Sequence, residues 1–167
     1  MPFILSTGQF QEPKLEVGVA ALSKAWGGEL KKVSFKQDPN EFIHSLTSPN
    51  ELVQIMGDAA MFNSSSGSWI EALGAWRQKI ILLSIPLSSG DIPGVTAAYF
   101  SLCKELRAEI IGLIQIGGDW NIKKRKLDGL PWSGLVSDEI ISRKADINSK
   151  DYYDMESMIR NIKYQII

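Results

Sequence analysis

Short apolar runs alternate with amphipathic stretches along the whole chain. Phe3-Ile4-Leu5-Ser6 is the first run, and Thr7-Gly8 and a polar stretch follow at once. Leu15, Val19, Leu22 and Trp26 then recur at spacings of four, three and four. That spacing predicts one buried face of a helix. Pro13 sits where a first-turn proline is tolerated, and Gly27-Gly28 ends the helix. Leu30 to Phe35 reads as a second strand. Asp38 and Pro39 start a short helix through Phe42, Ile43 and Leu46, and Leu52 to Met56 reads as a third strand. Trp69, Ile70, Leu73 and Trp76 form the next helical face. Ile80 to Ile85 is continuous and apolar, which is how a central strand of a parallel sheet reads when helices cover both sides. Val95, Tyr99, Leu102 and Leu106 give another helix, and Ile110 to Ile116 a fifth strand. Leu130-Pro131-Trp132 leads into a short sixth strand through Val136. Tyr152, Met155, Ile159 and Ile162 make a last amphipathic helix.

Strands separated by helices imply βαβ crossovers. The expected fold is therefore α/β, a three-layer sandwich around a mainly parallel sheet of about six strands. No composition break divides the 167 residues, so the chain reads as a single domain. The N-terminus has neither a basic lead nor a long apolar stretch, and no run approaches the ~20 residues needed to span a bilayer. The expectation is a soluble, cytoplasmic protein without a membrane segment.

Composition narrows the chemistry. There are 18 Lys and Arg against 19 Asp and Glu, so no whole-protein field favours nucleic acid. The one cysteine, Cys103, excludes an internal disulfide framework and a multi-cysteine metal cluster. The one histidine, His44, excludes a poly-histidine metal site. Any catalysis would rest on lysines, arginines, carboxylates, hydroxyls and backbone amides. In parallel α/β sheets, ligands bind outside the carboxyl ends of the strands. The segments there are Thr7 to Lys14, Lys36 and Gln37, Gly57 to Ser68, Ser84 to Asp91, and Gly117 to Lys126.

The order of these segments resembles the dethiobiotin synthetase branch of the P-loop enzymes, with cobyrinic acid diamide synthases as relatives. Thr7, Gly8 and Lys14, within Leu5-Ser6-Thr7-Gly8-Gln9-Phe10-Gln11-Glu12-Pro13-Lys14-Leu15, match that family's phosphate loop. Here the loop is one residue shorter, lacks its second glycine, and carries Leu15 where a Ser or Thr follows the lysine. Lys36 fits the family's substrate-facing lysine after the second strand. Met56 stands where the family keeps a magnesium-binding glutamate, with Asp58 two positions on. The adenine-reading asparagine would fall at Ile116, and Asn121 is nearby but out of register.

The resemblance implies a P-loop NTPase-like fold, ATP and Mg²⁺ as cofactors, and a small-molecule substrate. It implies an ATP-dependent ring-closing carboxylation in biotin biosynthesis, through a carbamate that the γ-phosphate activates. Lys14 and Lys36 would be catalytic. Thr7, Gly8, Lys14 and Asn121 would bind nucleotide, and Asp58 would be the metal carboxylate. Two further readings stand beside this one. A non-catalytic relative would keep the scaffold as an interaction or regulatory protein, with Thr7-Gly8 as a plain strand-to-helix turn. A flavodoxin-like domain would bind a phosphorylated cofactor at the same loop.

Other features have bland counterparts. Lys123-Lys124-Arg125-Lys126 would clamp a phosphate or an RNA backbone, or be a solvated connection. Trp69 and Trp76 share a helix face and would build a homodimer contact if partly exposed. Cys103 next to an apolar helix face reads as a buried, inert thiol.

Overall fold

The computed structural model describes residues 1–48 and 51–166. Among the described residues, six strands form one all-parallel sheet in the order β2-β3-β1-β4-β5-β6. They are β1 (Pro2–Ser6), β2 (Leu30–Ser34), β3 (Leu52–Met56), β4 (Lys79–Ser84), β5 (Glu109–Ile116) and β6 (Gly134–Val136). The helices are α1 (Pro13–Trp26), α2 (Pro39–Ser45), α3 (Trp69–Ala75), α4 (Gly94–Glu105), α5 (Ile122–Leu127), α6 (Asp138–Ile141) and α7 (Lys150–Tyr164). The α/β three-layer sandwich expected from the alternating pattern is the fold. Among the described residues no helix is long and apolar enough to cross a membrane.

Strand alternation divides the core into two. Phe3, Leu5, Val53, Ile55, Ile80 and Leu82 face one side, where they meet Ile43 of α2, Trp69 and Leu73 of α3, and Tyr99 and Cys103 of α4. Ile4, Ile81, Leu83, Ile114 and Ile116 face the other, against Leu15, Val19 and Leu22 of α1 and Met155, Ile159 and Ile162 of α7. Burying each such side chain contributes about 1.5–3 kcal/mol, which is why the short continuous runs become central strands. Between β4 and β5 the register slips by one residue. Ile80 pairs with Ile110 and Ile81 with Gly112, so Ile111 is the extra residue of a bulge. A Cβ on Gly112 would stand 2.9 Å from Ile162 Cδ1, so the missing side chain there lets α7 seat against the sheet.

Helix ends follow local chemistry. Pro13 opens α1, and Gly27, with φ 73°, closes it by donating its N–H to the carbonyls of Ser23 and Lys24. Ser68 and Glu71 form a reciprocal capping box at the start of α3. The packing of α3 against the end of α4 is close: a Cβ on Gly74 would lie 1.9 Å from the Leu106 carbonyl oxygen.

Two helices differ from the pattern-based expectation. The basic stretch read as a connection is α5, capped by the Asn121 side chain, and α6 follows β6 directly. At six and four residues, neither is long enough to show a periodic apolar face.

The topology positions the site. β1 lies between β3 and β4, and its chain leaves to α1 on one face of the sheet. The chains leaving β3 and β4 run to α3 and α4 on the opposite face. The loop after β1 therefore sits at a topological switch point, with a crevice on each side of it.

Candidate functional site

Both crevices are present at the carboxyl edge. The first, of about 740 Å³, lies toward β3 and is lined by Gln9, Phe10, Gln11, Glu12, Pro13, Phe35, Met56, Gly57 and Asp58. The second, of about 540 Å³, lies toward β4 and β5. The β1–α1 segment (Gln9, Glu12, Lys14), the β4–α4 loop (Ile85 to Gly90), Gly118, Asp119 and Asp138 border it.

The segment between them is a turn built by backbone bonds. Glu12 donates its N–H to the Gln9 carbonyl at 3.1 Å, and Leu15 donates to Glu12 at 2.9 Å. Gly8 has φ 134° and Gln9 φ 52°, both in the range that favours glycine. Thr7 is buried. Its N–H donates to the Leu83 carbonyl at 2.9 Å, and its hydroxyl lies 3.2 Å from that oxygen and 3.0 Å from Thr96 Oγ1. Thr96 Oγ1 in turn lies 2.7 Å from Ser84 Oγ. This chain of hydroxyls ties the ends of β1 and β4 to the start of α4. The Thr7 side chain is turned into the fold.

Lys14 extends over the second crevice and meets a carboxylate of its own chain. Its Nζ lies 3.1 Å from Asp138 Oδ1, with both side chains about half exposed. Asp138 Oδ2 accepts the Gly118 N–H at 2.9 Å. Gly117 and Gly118 have φ 69° and 70°, and a Cβ on Gly117 would lie 2.7 Å from Asp138 Oδ1. The Asp138 carboxylate thus fills an anion hole made by one lysine and one backbone amide. The next residue, Leu15, is 3% exposed and belongs to the core under α1.

The other residues singled out above lie apart. Lys36 is exposed, its Nζ 5.8 Å from the Phe35 ring centroid, and lines neither crevice. Asp58 borders the first crevice, where its Oδ1 accepts the Tyr99 hydroxyl and, at 2.9 Å, the Ala60 N–H. Burial first, then the Asp58 carboxylate, raises the Tyr99 phenol well above its ordinary value. Asn121 is exposed and caps α5, its Oδ1 accepting the Lys124 N–H at 3.0 Å. The serines of the 63–68 loop close on themselves. Asn63 Oδ1 accepts from the N–H and hydroxyl of Ser65, and Asn63 bridges to Gly67.

The basic run divides. Lys124 donates to Asp91 at 2.8 Å and to the Ser89 carbonyl. That hydrogen bond holds the Asp91 carboxyl below the usual carboxylate range. Arg125 is only 4% exposed. It donates to Gln115 Oε1 at 3.1 Å and to the Gly90 carbonyl at 2.9 Å, and stacks 5.3 Å from the Trp132 ring centroid. Gln115, fully buried, passes the contact on to the carbonyls of Gly117 and Asp119. Arg125 therefore clamps the two loops that wall the second crevice. Four consecutive cations gave no sign of which one is inside; the nearest signal was Gln115, a polar residue within an apolar strand. Trp69 is core, donating its indole N–H to the Phe35 carbonyl at 3.0 Å, whereas Trp76 is 42% exposed. Cys103 is fully buried, and burial pushes its thiol up to about 12.

A magnesium triphosphate needs backbone amides turned inward, an available lysine and a hydroxyl or carboxylate for the metal. The Thr7 hydroxyl, the Lys14 ammonium and the Leu15 side chain are each committed elsewhere. Among the described residues, no group of three or more His, Cys, Asp or Glu is placed to hold a metal ion. Leu15 offers no oxygen to a metal, and Lys14 would have to leave Asp138 to meet a phosphate. Compared with known proteins, the chain matches no family model and no curated sequence.

Proposed function

We propose that the protein is a non-catalytic relative of the dethiobiotin synthetase-like P-loop fold, acting as an interaction or regulatory module through the carboxyl edge of its sheet. One observation carries this reading: Lys14, which the resemblance assigns to phosphate, is paired with Asp138. In a working phosphate loop that ammonium neutralises the β and γ oxygens. Here an internal carboxylate takes their place, and Leu15 offers no oxygen to a metal. A cytoplasmic location and a homodimer belong to the same proposal. A dimer contact on α3 would rest on Trp76, since Trp69 is inside.

The second reading is the ATP-dependent ring-closing ligase. Its support is the position of Lys14 in the first turn of α1, beside a crevice that also holds Ser88, Ser89 and Gly118. Calorimetric titration with ATP and Mg²⁺ separates the two. The non-catalytic reading expects no heat at millimolar nucleotide and no phosphate release. Nucleotide binding that disappears in Lys14→Ala would overturn it in favour of the ligase.

A further inference from the structure

The 740 Å³ crevice beside β3 has the size of a small-molecule site, and its location at a switch point is where such sites form. Its chemistry differs from that of a phosphate site. Phe10, Pro13, Phe35 and Met56 supply an apolar body. Among the described residues, Glu12 and Asp58 are its only charged lining residues, so both charges are negative. Glu12 stands at the start of α1, and its side chain makes no cap hydrogen bond. Asp58 spends one oxygen on Tyr99 and Ala60; among the described residues its Oδ2 has no hydrogen-bond partner. The two amides, Gln9 and Gln11, can hydrogen-bond either sign of ligand.

The shape is also set from below. Gly57 has φ 110°, and a Cβ there would lie 2.3 Å from the Phe35 ring, so only glycine leaves that ring its place on the wall. Aromatic faces attract cations, and the Phe35 ring already has the Lys36 ammonium beside it. An anion would meet two carboxylates among the lining residues, with the Lys36 ammonium at the Phe35 ring as the cation beside them. A protonated amine on an apolar body would find carboxylates and apolar side chains lining the same crevice.

We infer that this crevice binds a small apolar amine, an aryl- or alkyl-ammonium without an acidic group. The inference rests on the binding reading above and gives it a ligand class. It is tested on the full chain by calorimetry, with 2-phenylethylamine, its carboxylate counterpart 3-phenylpropionate and the neutral 2-phenylethanol as probes. The amine is expected to bind one to one, ahead of the alcohol and well ahead of the carboxylate. Glu12→Gln changes an exposed side chain without a cap bond, and should weaken the amine about fivefold while leaving the alcohol unmoved. Phe10→Ala should weaken both. Equal binding of amine and carboxylate, no binding of any probe at millimolar concentration, or amine binding indifferent to both substitutions would each overturn the inference. Titration with ATP and Mg²⁺, run on the same samples, reports separately on Lys14: nucleotide binding there would defeat the non-catalytic reading without touching the amine result.

Discussion

Asp138→Asn isolates the contact on which the functional reading turns. The substitution keeps an oxygen for the Gly118 N–H and removes the charge that holds Lys14. Both partners of the ion pair are about half exposed, at 51% and 49%, so solvent screening limits the pair to ~0.5–1 kcal/mol. Making the Gly118 acceptor neutral removes about another 0.5 kcal/mol. The expected loss of stability is therefore about 1–1.5 kcal/mol, measurable as a shift of the urea midpoint at unchanged slope. The gain is on the other side. An anion entering the hole of the native protein must first displace Asp138, and ~1 kcal/mol corresponds to about fivefold in affinity. Pyrophosphate titrated calorimetrically should bind Asp138→Asn at least about fivefold more tightly than the native chain. Lys14→Ala added to that variant should abolish the gain. Equal pyrophosphate affinity in native and variant would refute the idea that Asp138 occupies an anion hole. A stability loss above about 3 kcal/mol would refute the treatment of the pair as a solvent-screened contact.

Two further outcomes test the packing. Gly74→Ala puts a methyl 1.9 Å from the Leu106 carbonyl oxygen, which belongs to backbone and cannot swing aside, so denaturation should report a loss of about 3 kcal/mol. A loss under about 0.5 kcal/mol would show that α3 and the end of α4 separate freely. Tyr99 carries a pH signature. Its folded pKa is raised above the ordinary 10.0, so the stability it brings is complete below that value and declines as pH rises beyond it. Tyr99→Phe has no such proton to lose. Midpoints measured from about pH 8 to pH 11 should fall less steeply for the variant than for the native chain, and parallel curves would sink the assignment. Cys103, raised by burial with the same sign, leaves a residual slope in both proteins.

The sheet was legible because its information is local. Ile80 to Leu83 is apolar on both faces and Ile110 to Ile116 nearly so, and only a strand between two helical layers uses such a run well. The α1 face was equally plain from Leu15, Val19, Leu22 and Trp26. The site was less so. Lys14 and Asp138 are 124 positions apart, and no spacing rule connects them; only the strand order brings the start of α6 beside α1. Thr7 and Thr96 are 89 apart and meet for the same reason. Arg125 looked like its three basic neighbours because the partners that bury it, Gln115, Gly90 and Trp132, come from three other segments. Trp69 and Trp76 share a nominal helix face, yet α3 ends between them, so one enters the core and the other caps the helix in partial contact with water.

Gln9 and Glu12 border both crevices at once. The wall between them is a single turn of chain, with one end pinned by the Thr7 hydroxyl and the other by the first turn of α1. A substitution at Gln9 or Glu12 therefore alters the lining of both chambers. The segment Gln9 to Glu12 is thus a common wall, and Glu12→Gln changes the charge lining each chamber.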